Sequence, residues 1–112
     1  MLKIVGMAKP WPSGYVVHAP RDTVVLFGTI HCTGDVTFKV KNLVVFGRLL
    51  SPGTVTISAS KIYSLGILEA KQLNADYTEY HFGPSDRALE EVEALGVHIT
   101  WGDRERLKVS AS

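Results

Sequence analysis

"VVLFGTIHCTGDVTFKVKN" (residues 24–42) runs without a gap into "LVVFGRLLSPGTVTISASK" (residues 43–61). Superposed, the two stretches match Val25 with Val44, Phe27 with Phe46, Gly28 with Gly47, Gly34 with Gly53, Val36 with Val55 and Thr37 with Thr56. Six identities in nineteen positions exceed the roughly one expected from average residue usage. Val24 with Leu43, Leu26 with Val45, Ile30 with Leu49 and Phe38 with Ile57 also keep apolar character. The chain repeats itself at a period of nineteen.

A third, degenerate copy begins at Ile62, where Leu65, Gly66 and Leu68 fall on Phe46, Gly47 and Leu49. Beyond Lys71 one residue must be skipped, after which Leu73, Ala75 and Tyr77 take the places of Val55, Ile57 and Ala59. Upstream, Val17 and Ala19 stand nineteen before Val36 and Phe38, while "KPWPSG" interrupts an earlier partial copy.

A fixed period near twenty marks a solenoid, because one unit cannot bury its apolar face until a neighbour stacks on it. Val36, Phe38, Val40 and Val55, Ile57, Ala59 alternate with Thr37, Lys39, Lys41 and Thr56, Ser58, Ser60, the two-residue period of a strand with one buried face. Gly28, Gly47 and Gly66 interrupt each copy at one place, and Gly34 and Gly53 interrupt two copies again. Those are the corners of a coil. The expected fold is mainly all-β: a short single-stranded β-solenoid of about three nineteen-residue coils, plus one short C-terminal helix and a final strand. A single domain, 1–112, comprises an N-terminal strand or cap (1–23), the coils (24–80) and a helix, strand and tail (81–112). The rival is a sandwich or small barrel with regularly spaced hairpins, which would not need glycines and apolar residues to recur in register.

In "GTIHCTGDV", "NLVVFGRL" and "LGILEAKQLNA" the segment 24–80 resembles the bactofilins, bacterial cytoskeletal proteins built on a short right-handed β-helix. The resemblance implies a stacked-coil core that associates end to end into filaments without nucleotide. The family's coils are shorter and richer in glycine and acidic residues. Hexapeptide-repeat acyltransferases also use β-solenoids, but nineteen is not a multiple of six.

Strands "VVLF" and "LVVF" are apolar on both sides, with Val25, Phe27, Val44 and Phe46 on one and Val24, Leu26, Leu43 and Val45 on the other. Such a strand is buried on both faces. One side fills the solenoid and the other needs a cover, so Val25, Val44, Tyr63, Leu26 and Val45 are the candidate self-association or packing residues. "PSDRALEEVEALG" predicts an amphipathic helix with Ser85 as N-cap, Leu89, Val92 and Leu95 on one face and Gly96 as its stop. It suits the role of cover. "VHITW" predicts a final strand with Val97, Ile99 and Trp101 on one side. Trp11 within "KPWPSG" belongs to a plug over the first coil or to a surface loop.

Chemistry is sparse. There are 12 basic and 11 acidic residues, a net charge of +1 and one cysteine, which gives no footprint for nucleic acid or an anionic membrane and no internal disulfide. Neither partner is expected, and the expected partner is a second copy of the chain. "MLKIVGMAKPWPSG" lacks the apolar core of a signal peptide, and no run reaches the ~18 apolar residues of a membrane span, so a cytoplasmic location is expected. One Gln and two Asn are the amide shortage of thermophile proteins. No phosphate loop or nucleophile elbow is present. His31 and Cys32 are adjacent and face opposite ways on a strand, and His18, His81 and His98 show no metal-ligand spacing with a neighbour. Glu69, Asp76 and Glu79 converge only if the fold brings them together. The expectation is therefore a non-catalytic, cofactor-free, metal-free structural protein that self-associates through solenoid ends or an apolar face. The alternative is a small ligand- or glycan-binding β-domain of jelly-roll or cupin type.

Overall fold

The computed structural model describes residues 2–6 and 9–100. Its elements are β1 (Leu2–Val5), β2 (Tyr15–Leu26), β3 (Thr29–His31), β4 (Val36–Val45), β5 (Arg48–Leu50), β6 (Thr54–Ser58), β7 (Lys61–Ser64), β8 (Ile67–Glu69), β9 (Gln72–Asp76), β10 (Glu79–Phe82) and the helix α1 (Asp86–Ala94). They form a β-solenoid of about four turns. Every strand pairing is parallel, which removes the antiparallel jelly-roll and sandwich alternatives.

The coils stack as a three-walled prism. The first wall holds residues 15–19 of β2, 36–40 of β4, β6 and β9; the second holds β1, residues 23–26 of β2, 42–45 of β4, β7 and β10. The third holds β3, β5 and β8, extended upstream by a bridge from Cys32 to Trp11. The nineteen-residue register is direct hydrogen-bonded pairing: Val25 lies on Val44 and Ile30 on Leu49. The skipped residue of the third copy is real too, since Val55 pairs with Leu73 and Ile57 with Ala75, eighteen ahead.

Upstream, the nineteen-residue spacing fails. Val17 pairs with Phe38 and Ala19 with Val40, twenty-one ahead, and the spacing returns to nineteen at Thr23 and Asn42. Two extra residues bulge out around Pro20, which has no N–H for a ladder. Because the insertion is even, each side chain keeps its side of the wall. The interrupted copy is thus a complete coil, and the stack is one turn longer than the three copies legible in the sequence.

Valines, leucines and isoleucines from all three walls fill the interior: Val24, Leu26, Ile30, Val36, Phe38, Leu43, Val45, Leu49, Val55, Ile57 and Ile62 are each at most 1% exposed. Trp11 closes one end of this core, 6% exposed, with its ring stacked 4.5 Å from Tyr15 and 6.1 Å from Phe38. It is a plug, not a surface loop.

The stacked glycines follow from how closely the coils approach. Gly28 adopts φ +70°, and its carbonyl accepts a hydrogen bond from Arg48 N at 2.7 Å, while that of Gly47 accepts from Ile67 N at 2.9 Å. A Cβ on Gly47 would collide with the Gly28 carbonyl oxygen, and one on Gly66 with that of Gly47. At the next corner Asp35 Oδ1 accepts from Thr54 N at 2.8 Å, tying one coil to the next.

Helix α1 starts as expected, with Ser85 Oγ accepting from Ala88 N at 3.1 Å, and Gly96 follows it at φ +102°. Of the expected final strand, residues 97–100 form no strand with any described residue, and Trp101 lies outside the described residues. Val97 and Ile99 are buried as their alternation predicts, but they lie against the outward side of the second wall, which offers a face and no free edge to extend.

Candidate functional site

The second wall carries an outward row in which Ile4 lies on Val25, Val25 on Val44, Val44 on Tyr63 and Tyr63 on His81. Helix α1 lies over this row. Ala88, Leu89 and Val92 pack with Val25, Val44, Phe46, Tyr63 and Leu65, joined by Val97 and Ile99, in a second core separate from the prism interior. Val25 and Val44 are 0% exposed and Tyr63 is 1% exposed beneath this cover. Leu26 and Val45 point the other way, into the prism. The five candidate residues therefore belong to two cores, and none of them is a surface.

Apolar surface is exposed at both ends of the stack, at Ile4, Tyr15 and Val16 on the first coil and at the coil end formed by β8, β9 and β10. Among the described residues no strand pairs with their outer edges. Leu73 is 39%, Tyr77 49% and Phe82 77% exposed. Tyr80 sits between the two aromatics, edge-on to Tyr77 at 5.1 Å and stacked on Phe82 at 4.3 Å. Leu68 and Ala75, half-buried, continue the interior to this end. The Tyr80 ring, half-buried, also packs against the interior here.

A polar cluster lies at the seam between β10 and α1. Glu79 and His81 are two apart on a strand and share its outward side; Glu91 reaches them from the helix. His81 Nε2 stands 3.5 Å from Glu79 Oε2 and 3.5 Å from Glu91 Oε2. The imidazole lies flat on Tyr63, with centroids 4.8 Å apart and planes 8° from parallel. Lys61 Nζ approaches Glu79 Oε2 at 3.7 Å, and Arg87 Nε approaches Glu91 Oε2 at 3.7 Å. Burial pushes the Tyr63 hydroxyl pKa up, and the negative charges of Glu91 and Glu79 push it further. A search for histidine spacing along the sequence passes over this cluster, since its third member comes from another element. The legible signal was the Glu-x-His pair on a strand.

Other sequence candidates stay apart. Glu69, Asp76 and Glu79 lie on three different walls. His31 faces out and Cys32 faces in, where burial raises the thiol pKa and disfavours the reactive thiolate. Thr37, Lys39, Thr56 and Ser58 form an outward polar row on the first wall. No helix among the described residues is long and apolar enough to cross a membrane. No protein-family model, no curated protein and no solved structure matches the chain.

Proposed function

We propose that the protein is a non-catalytic structural element that self-associates through the coil end formed by β8, β9 and β10, with a second copy of the chain as its partner. The supporting observation is the coil end itself, where Leu73, Tyr77 and Phe82 lie exposed beside three strand edges with no partner among the described residues; the opposite end is covered in part by Trp11 but also exposes Ile4, Tyr15 and Val16. An unpaired edge over an apolar interior is a template for another chain, and two such ends related by a two-fold axis cover each other. The helix-covered face of the second wall is no route to assembly unless α1 leaves it. The finer kinship with the bactofilins, and their end-to-end association, belongs to the same proposal.

Light scattering across a range of protein concentrations, with electron microscopy of the same samples, tests it. The expected result is a rise from one to two chain masses, abolished by Leu73→Lys with Phe82→Lys at unchanged monomer stability. Compact monomers at every concentration would sink the reading; long filaments would replace the two-fold contact by a head-to-tail one.

A further inference from the structure

The seam cluster invites a second, independent reading. A direct charged hydrogen bond brings nitrogen and oxygen to about 2.7–2.9 Å, and both contacts of His81 Nε2 are well beyond that, at 3.5 Å. An ion with four tetrahedral bonds of ~2.0–2.2 Å separates its donor atoms by about 3.4 Å, by simple geometry. The two histidine–carboxylate distances therefore have the length of tetrahedral edges. All three donor atoms lie within 4.8 Å of one another, so modest rotation of the carboxylates closes the third edge.

A further observation points the same way. Glu91 Oε2 is shut off from solvent and receives no hydrogen bond, a costly state for a carboxylate oxygen unless a cation answers it. Arg87, the nearest cation on its own helix, stays 3.7 Å away with a 78% exposed side chain, and Lys61 on β7 is 42% exposed. Either can swing into water as an ion enters. The Tyr63 ring beneath His81 fixes the plane of the imidazole, as supporting contacts around metal sites do.

We infer that Glu79, His81 and Glu91 form a binding site for one divalent transition-metal ion of the zinc class, which clasps α1 to β10. One nitrogen and two carboxylate oxygens suit such an ion, and the fourth position is left to water. The ion joins the helix to the strand it covers, so it holds the lid on the second core. This site does not depend on the self-association proposed above.

The test uses the full chain, stripped with chelator and titrated with ZnCl2 by calorimetry and with CoCl2 by visible absorption. One equivalent per chain is expected, with the intense cobalt bands of a four-coordinate site. At zinc about a hundredfold above its Kd, the melting temperature should rise by on the order of 10 °C. Glu79→Gln and His81→Gln should each weaken zinc binding at least tenfold and cut the rise to about half or less at the same zinc concentration. Glu90→Gln, on the exposed side of α1, should leave both unchanged. Glu79 is 41% exposed, so its variant keeps the fold, and a zinc-free melt checks this. Absence of zinc uptake, or wild-type affinity in Glu79→Gln and His81→Gln, would overturn the site.

Discussion

The first and second walls of the prism share the two long strands β2 and β4, yet their outward sides have opposite character. On the first wall β4 turns Thr37 and Lys39 to water; a few residues later, on the second, it turns out Val44. The backbone pairing is parallel and in register on both. Side chains alone decide that one wall ends in solvent and the other continues into a second core under α1. The helix acts as a partner carried on the same chain, and exposed apolar side chains remain at both ends of the stack, Ile4, Tyr15 and Val16 at one and Leu73, Tyr77 and Phe82 at the other.

Substitutions on the two walls should therefore differ sharply. Val44→Lys places an unpaired charge between β4 and α1 and should cost about 3–5 kcal/mol, measured by denaturant unfolding. Stability equal to wild type would mean that α1 does not cover this row. Truncating the cover comes next: Leu89, 0% exposed, should cost about 2–5 kcal/mol when changed to Ala, and the loss of near-ultraviolet dichroism from Tyr63 on milder heating would report it locally. The smallest effect belongs to the first wall, where Thr56→Lys should change unfolding free energy by less than about 0.5 kcal/mol, its long stem reaching water. A larger loss there would show that the two walls are more alike than their side chains indicate.

What could be read from the sequence were the features set by backbone sterics. Gly47 and Gly66 recur because a Cβ has no room beside the carbonyl of the coil before, and such a constraint leaves the same letter at the same spacing. The coil from β1 through residue 19 was obscured because two residues inserted near Pro20 move every letter while leaving each side chain on its side of the wall. The double apolarity of "VVLF" was visible, and so was the helix that satisfies it. "VHITW" misled because alternation records burial on one side and says nothing of whether a strand edge is free to pair. Of the Glu79, His81 and Glu91 cluster only the Glu-x-His pair is legible locally; the arrival of Glu91 depends on how α1 returns over β10, and no local pattern encodes that return.

The uniform register also bears on how the chain reaches its fold. From Thr23 to Leu50, each residue of the second and third walls finds its partner nineteen residues on. The first long-range contacts thus close loops of equal and modest length, whose entropic cost grows only slowly with size. No coil needs a distant part of the chain before it can form, so ordering can begin at the two well-matched central coils and spread to both ends, as in other repeat proteins. Among the described residues, long separations are spanned where α1 and residues 97–99 dock on the second core with Leu2, Val25 and Val44. That step is expected last, and in its absence a folded prism would carry a bare apolar flank, the state in which newly made chains are most prone to aggregate.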